Sequence, residues 1–180
     1  MALGATVYTF QIALNDADRS VYETLAFRVA RHPSEHEAYL ATRVLAYCLE
    51  YTEGLTFSRG GLSDPDEPAL AIRDLTGVLR SWIEVGLPEA ARLHRAAKAA
   101  SRVVVYPHRD TAVLLSRLRS ETIHRSSELE VREIDPALVA GFAAALDRRM
   151  TLDLAVSDGH LYLSAGTATF DGSVTLHRLT

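Results

Sequence analysis

The chain has 180 residues, of which 48% are hydrophobic and 23% charged, so it is long enough for one domain with its own core and unlike a disordered or fibrous chain. No apolar run approaches the roughly 18 residues of a membrane span, the first residues lack the features of a signal peptide, and the single cysteine excludes an internal disulfide, so we expect a cytoplasmic protein. The net charge of −4 by itself argues against a nucleic-acid partner, although the local distribution of charge decides such binding.

The N-terminal part of the chain predicts a β-hairpin followed by a helix. In the first thirty residues, apolar side chains alternate with polar ones on both sides of a turn at 15–20. Ser34 and Glu37 have the spacing of a capping box, and the apolar stripe that follows predicts a helix over 35–51. Cys48 lies on this stripe, so we expect a small buried side chain rather than a reactive thiol.

The middle of the chain predicts further strands and one helix. In order, these are an extended piece at 55–58, an acidic loop at 60–68, strands at 69–73 and 78–85, a helix from Pro88 to about residue 101, and a strand at 102–106. The first two full strands are joined by Asp74-Leu75-Thr76-Gly77, which is a favoured type I turn.

The C-terminal part predicts two helices and a β-rich tail. The helices are at 111–119 and from Pro136 to about 149, the second capped by Asp135, and the strands are at 129–134, 151–156, 160–164 and 167–179. The dipeptides Asp158-Gly159 and Asp171-Gly172 are expected at tight hairpin turns. The predicted fold is one α/β domain over residues 1–180, with a mixed sheet, flanking helices and additional β-hairpins at both ends.

A pair of carboxylates is the first candidate for chemistry. The four-residue turn at 74–77 places Glu84 opposite Glu67 and Trp82 opposite Ala69 on neighbouring strands. Carboxylates about 5 Å apart repel each other unless something compensates, and Mg²⁺ or Mn²⁺ would do so. Alternatively one acid is protonated, or the register differs by one and Asp66 or no acid faces Glu84.

A row of basic residues follows on the next helix. Arg92, Arg95 and Lys98 recur at a spacing of three, which is most often a solvated helix face. Only two residues separate the strand of Glu84 from this helix, so we expect these cations to lie near the carboxylates. Carboxylates that hold a metal beside cations that hold phosphate are the groups used in metal-assisted phosphodiester hydrolysis.

Several strings spread over nearly the whole chain resemble those of the YaeQ family. They are ArgHisProSerGlu at 31–35, AspGluPro at 66–68, AspLeuThrGly at 74–77, TrpIleGluValGly at 82–86, ValValValTyr at 103–106 and SerAspGlyHisLeuTyrLeuSer at 157–164. That family is regarded as a variant of the restriction-endonuclease-like, PD-(D/E)xK nuclease fold. The resemblance implies a restriction-endonuclease-like core and a metal-dependent nuclease ancestry.

The resemblance also assigns the (D/E)xK element. Glu84 occupies its acidic position, whereas Gly86 stands where the lysine is expected. In some members of the wider superfamily that lysine lies on the neighbouring helix, which makes Lys98 or Arg95 the candidate substitute.

The PD element and the helical acid are matched less completely. The aspartate expected after proline falls at Ala69, so Glu67 or Asp66 must replace it as a metal ligand. Glu35 is the candidate for the acid that the first helix often supplies in such folds, although a favourable charge in the first helical turn is its more common role.

The sequence therefore supports three hypotheses. The first is a Mg²⁺-dependent nuclease-like protein that acts on or binds nucleic acid, with Glu84 as its central residue. The second is a catalytically inactive binding or regulatory module of the same fold, and the third is an adaptor with a protein partner. Trp82 could stack on a base but more often packs in a core, and a zinc pair of His32 and His36 is not expected because Pro33 places His32 outside the helix. Three arginines, Arg117, Arg119 and Arg125, are expected on a solvated face.

Overall fold

The structure, a computed structural model, describes residues 4–58 and 66–180. Its elements in chain order are β1 (Thr6–Asp16), β2 (Val21–Arg31), α1 (Glu37–Leu49), β3 (Leu55–Phe57), β4 (Leu70–Arg73), β5 (Leu79–Val85), α2 (Ala90–Ala99), β6 (Arg102–Tyr106), α3 (Thr111–Arg119), a 3₁₀ turn (Ser126–Glu128), β7 (Glu130–Ile134), α4 (Pro136–Ala145), β8 (Arg149–Ser157), β9 (His160–Ala165) and β10 (Ala168–His177). Most of the acidic loop predicted at 60–68 lies outside the described residues.

The ten strands form one mixed sheet in the order β2-β1-β8-β9-β10-β7-β6-β5-β4-β3. Strand β1 is parallel to β8, and β5, β6 and β7 run parallel to one another, while the remaining neighbours are antiparallel. The two outermost strands approach each other through Phe27 of β2 and Phe57 of β3, whose ring centroids are 5.4 Å apart. The sheet therefore curls around α1 until it is nearly closed, and the predicted mixed α/β architecture is confirmed.

Two separate cores lie on the two faces of the sheet. On one face, helices α1 and α4 pack on the strands, with Phe10, Ile83 and Phe142 among the buried side chains. On the other face, α2 and α3 cover β5, β6 and β7, with Trp82 and Leu93 in that core. Successive residues of a strand point to opposite faces, so β5 contributes alternately to both cores. Within the described part of the chain, no helix is both long and apolar enough to span a membrane.

Helix α1 follows the prediction in its buried stripe but not in its cap. Cys48 is fully buried, as expected, and burial raises the pKa of its thiol to about 12, so the thiol stays protonated. The helix begins at Glu37 after His36, which makes no side-chain cap hydrogen bond. The capping box from Ser34 is wrong, because the Ser34 hydroxyl lies 2.5 Å from Nδ1 of His32 instead.

Arginines from the following segment hold α2 in place. Arg125 Nη2 donates to the carbonyls of Ala97 and Ala100 at 2.5 and 2.7 Å, which satisfies the C-terminal end of α2. Arg117 Nη2 donates to the carbonyl of Pro88 at 3.0 Å, just before the helix begins. The expectation of a merely solvated face is therefore wrong for both arginines.

The tail is β-rich as predicted, but one of its two turns is misplaced. The β8–β9 turn is formed by Asp158-Gly159, whereas Gly172 lies inside β10 opposite Leu161. A Cβ at Gly172 would lie 2.5 Å from the Cβ of Asp135, so this glycine permits a close approach of the start of α4. Asp135 caps α4 as predicted, since its side chain accepts a hydrogen bond from the Ala137 amide at 2.8 Å.

Candidate functional site

Glu84 is a buried carboxylate near the carboxyl end of β5. Ile83 and Val85 face the core around α1, so Glu84 and Trp82 face α2. Glu84 is only 5% exposed, and its Oε1 accepts a hydrogen bond from Trp82 Nε1 at 2.5 Å. Trp82 therefore packs in the core and holds the carboxylate.

Arg92, on the first turn of α2, neutralises this carboxylate. Its Nε and Nη2 each lie 2.9 Å from Oε1 of Glu84, and its guanidinium carbon lies 5.5 Å from the centroid of the Trp82 ring. Its Nη2 also donates to the backbone carbonyl of Glu67 at 2.6 Å. A single guanidinium thus links β5, α2 and the segment that precedes β4.

Burial and pairing act in opposite directions on Glu84. Burial disfavours the charged form and raises the pKa of Glu84, while the hydrogen bonds from Arg92 and Trp82 lower it. Burial has the larger effect, so the pKa lies above its usual value. The carboxylate is consequently more dependent on Arg92 than an exposed one would be.

A second cluster lies on α1, on the opposite face of the sheet. Arg43 is 1% exposed, its Nη2 donates to the Ala30 carbonyl at 2.5 Å, and it lies 3.7 Å from Oε2 of Glu35. Its guanidinium carbon is 5.6 Å from the centroid of the Tyr39 ring. Burial raises the pKa of Glu35 more than Arg43 lowers it, and it raises the pKa of Tyr39 to about 12.

The two clusters meet at the end of β5. Gly86 has φ +108, and a Cβ there would lie 3.1 Å from the Tyr39 ring. The charges of Glu84 and Arg92 both affect the pKa of Tyr39, and the Tyr39 ring contacts His108 edge-on at 5.7 Å. Gly86 therefore leaves room for Tyr39 between the two clusters.

An open cleft adjoins this region. It has a volume of about 650 Å³ and is lined by the first turn of α1, the segment after β6 and the end of α4, including His36, His108 and Arg109. Nδ1 of His108 is buried without a hydrogen-bond partner among the described residues, and burial lowers the pKa of this imidazole.

Sequence reasoning missed Tyr39, Arg43 and His108. The available signal was Arg43 itself, because a charged residue between Thr42 and Val44 interrupts an otherwise apolar helix. No sequence pattern indicated that residues 39 and 108 would be neighbours.

The predicted register of β4 and β5 is wrong. Ala71, not Ala69, lies opposite Trp82, and Leu70 lies opposite Ile83, so Glu67 precedes β4 and has no partner position in β5. Two additional residues cause the shift. The Asp74 amide bonds to the Val78 carbonyl at 3.0 Å around Gly77, which has φ +85, and the pairing shifts again between Ile72 and Arg73.

Within the described part of the chain, the other predicted site residues do not contact Glu84 through a hydrogen bond or ion pair. Asp66 is exposed and Glu67 is half-buried, while Arg95 and Lys98 are exposed and form no ion pair with any residue in 4–58 or 66–180. Glu35 belongs to the α1 cluster. Arg92, rather than Arg95 or Lys98, is the cation that contacts Glu84.

The donor set at Glu84 does not fit a divalent cation in this conformation. Among the residues that the structure describes, no three His, Cys, Asp or Glu side chains come close enough to hold a metal. Oε1 of Glu84 already accepts from Trp82 and from two nitrogens of Arg92, which is the coordination of an arginine partner and not of a metal.

Known proteins of similar sequence and structure share one family. The family described as YaeQ protein matches residues 1–174. Two proteins named "Uncharacterized protein YaeQ" match 91% of this chain and 91% of their own length: the one from Salmonella typhi is 33% identical over 165 residues, and the one from Escherichia coli K12 is 32% identical over 166 residues. Two crystal structures of YaeQ proteins match with 30% sequence identity. The Xanthomonas axonopodis pv. citri structure has a TM-score of 0.87 over 97% of this chain and 99% of that chain, and the Pseudomonas syringae structure has 0.85 over 96% and 95%. The family resemblance of the sequence is thus confirmed, and the chain belongs to the YaeQ family.

Proposed function

We propose that this chain is a nuclease-like protein that binds nucleic acid along α2. The observation that carries the proposal is that α2 continues from the buried Glu84–Arg92 pair to two exposed cations, Arg95 and Lys98, which form no ion pair within the described chain. Cations without an acidic partner on a helix beside a strand end are suited to phosphate groups.

The position of Glu84 supports the same proposal. Glu84 lies near the carboxyl end of β5, where ligands of α/β sheets commonly bind, and α2 leads from this end through Arg95 and Lys98 towards the amino end of the parallel strand β6. The sheet with helices on both faces also suits the restriction-endonuclease-like core that the family resemblance implies. We therefore assign the phosphate-binding role to Arg95 and Lys98, and to Arg92 the role of positioning α2 against Glu84.

The salt dependence of binding tests the proposal. Fluorescence anisotropy with labelled single-stranded DNA, single-stranded RNA and duplex DNA, measured from about 50 to 500 mM salt, should give affinities that fall as salt rises. R95Q/K98Q should reduce the slope of log affinity against log salt by about 1 to 2, because each lost phosphate contact removes about 0.7 to 0.9.

The matched control removes two exposed charges elsewhere. Arg119 and Arg178 are exposed and, among residues 4–58 and 66–180, their side chains bond only to backbone carbonyls, so R119Q/R178Q should leave the slope within error of the wild type. Absence of salt-dependent binding to all three probes would overturn the proposed function. An equal effect of both double variants would show that α2 is not the interface.

Metal-dependent hydrolysis is the second candidate function. It is favoured by Glu35, whose buried Oε2 accepts no hydrogen bond from a described residue and has Arg43 at 3.7 Å. Because Arg92 already binds Oε1 of Glu84, a Mg²⁺ or Mn²⁺ ion would have to displace this arginine from the carboxylate.

Calorimetry with Mn²⁺ distinguishes the two candidates. We expect R92M to bind Mn²⁺ more tightly than the wild type, since the carboxylate then lacks its guanidinium partner, and E84Q to abolish any such binding. A wild-type protein that binds Mn²⁺ tightly, and loses it on E84Q, would instead favour hydrolysis. No saturable heat in any of the three proteins at millimolar metal would remove this candidate.

A further inference from the structure

A concave basic surface lies on the part of the sheet formed by β2, β1 and β8, whereas α2 packs on β5 and β6. We name it the arginine concavity; it has a volume of about 660 Å³ and is lined by Val7, Thr9, Arg28, Asp147, Arg148 and Arg149. Its three arginines are exposed, and their side chains make no hydrogen bond or ion pair with a residue in 4–58 or 66–180. The one carboxylate, Asp147, accepts a hydrogen bond from the backbone amide of Arg148 at 2.7 Å.

The strand register brings two of these arginines into one row. Arg28 of β2 and Arg149 of β8 are both paired with Thr9 of β1, which lies between them. Directly paired residues share one face of a sheet, so both side chains extend from the face opposite the buried Phe10 and Leu152. The two Cα atoms are about 10 Å apart, since neighbouring strands are about 4.8 Å apart.

The neighbouring row of side chains on the same sheet face is short. The adjacent row consists of Ala26, Gln11 and Thr151, so no bulky side chain obstructs an extended ligand. The nearest acid along β8 is Asp153, four residues from Arg149 and therefore about 13 Å away. Three guanidinium groups and one carboxylate leave the concavity with an excess of positive charge although the whole chain carries −4.

We propose that the arginine concavity binds the phosphodiester backbone of a nucleic-acid strand, as a second contact surface of the protein. Guanidinium groups bind phosphate oxygens in a bidentate manner, and two groups on strands that flank Thr9 can hold the same or adjacent phosphates. A protein partner fits less well, because protein interfaces rely on aromatic or apolar anchors and Val7 is the only large apolar side chain of this surface. This inference rests on the proposed binding of nucleic acid but assigns a different set of residues to it.

The test compares two surfaces in one assay. In anisotropy titrations with a single-stranded 20-mer, R28Q/R149Q should weaken binding about 10-fold near 100 mM salt and reduce the salt slope by about 1.4, or 0.7 for each phosphate contact. R28K/R149K, which keeps the charge but not the bidentate geometry, should retain most of the slope and lose part of the affinity.

The outcomes separate this inference from the proposed function. Normal binding by R28Q/R149Q together with weakened binding by R95Q/K98Q would overturn the arginine concavity and leave the α2 interface intact. The reverse pattern would support the concavity and overturn the α2 interface, and no binding by the wild type would overturn both. Tighter binding of polyglutamate of equal charge than of the 20-mer would show that the concavity takes an acidic protein segment, and this result would also overturn the inference. Unfolding midpoints of all variants should match the wild type, because the substituted side chains are exposed.

Discussion

Replacing Arg92 with methionine should lower the free energy of unfolding by about 3–5 kcal/mol near neutral pH, the usual cost of removing one partner of a buried ion pair. Methionine retains the apolar contact with Trp82 but removes both nitrogens that hold Oε1 of Glu84. The carboxylate would then keep only the hydrogen bond from Trp82. Urea unfolding of the two proteins measures the difference.

The cost of R92M should depend on pH in a defined direction. Burial holds the pKa of Glu84 in the folded wild type above its usual value, and this pKa should rise further without Arg92. A carboxyl whose pKa is higher in the folded state than in the unfolded state binds its proton more tightly when folded, so stability falls as pH rises from about 4.5 through the folded pKa. R92M should therefore cost least at about pH 4 and progressively more up to neutral pH.

Two variants control this prediction. R92M/E84Q should recover most of the lost stability and show little of the pH dependence, because glutamine carries no charge to bury. Lys98→Met, on the exposed face of the same helix, should change stability by less than about 0.5 kcal/mol. A cost of R92M that is equal at pH 4 and pH 7.5, or that E84Q fails to relieve, would show that Arg92 does not act through Glu84.

Replacing Arg102 with methionine should lower the free energy of unfolding by a similar amount, about 3–5 kcal/mol. Arg102 is the first residue of β6. Arg102 donates to both oxygens of the buried Glu50, at 2.6 and 3.2 Å, and to both oxygens of Glu130, at 3.0 and 3.1 Å. The hydroxyl of Tyr106 donates to Glu50 at 2.7 Å. Without Arg102, the Tyr106 hydroxyl would be the one hydrogen-bond donor left to Glu50 among the described residues, with the charge of Arg132 still nearby.

Arg132 provides the matched control for Arg102. It has the same side-chain exposure of 32% but makes one hydrogen-bonded ion pair among the described residues, with Glu130 at 2.9 Å, while its charge also acts on Glu50 and Tyr106. R132M should therefore cost about 1.5–3 kcal/mol, the contribution of one charged hydrogen bond. The arginines hold the pKa of Glu130 below its usual value, so the stability they provide through Glu130 is present above about pH 4.5 and is lost as pH falls through the lowered pKa. Equal losses of stability for R102M and R132M would contradict the role of Arg102 as the partner of both Glu50 and Glu130.

Local sequence patterns predicted most elements of the fold but were ambiguous where a residue type has two uses. Asp135-Pro136 predicted a helix start, and the structure confirms it because an N-cap depends on adjacent residues only. Asp171-Gly172 predicted a turn, yet Gly172 serves the close approach of Asp135, which lies 37 residues earlier in the chain. An Asp-Gly dipeptide thus forms a turn at 158–159, whereas at 171–172 its glycine makes room for a residue from a distant part of the chain.

The candidate site was predictable in part. Glu84 was selected from its predicted pairing with Glu67 and from the family resemblance, with the basic residues of the next helix expected nearby, and Arg92 of that helix does contact it. Its partner was predicted incorrectly because a hairpin register depends on every residue of the turn and its flanks, and two irregularities move Glu67 out of position. Arg92, Arg95 and Lys98 are equally basic, so their spacing alone could not show which of them reaches the carboxylate.

The sequence by itself determined the strands, the helices and the buried Cys48, because these depend on hydrophobic periodicity and on short-range turn and cap chemistry. Only the tertiary structure decided the ten-strand order, the meeting of Tyr39, Gly86 and His108, and the row formed by Arg28, Thr9 and Arg149. These features join residues that are distant along the chain, and they follow from strand pairing and helix packing, which no local pattern encodes.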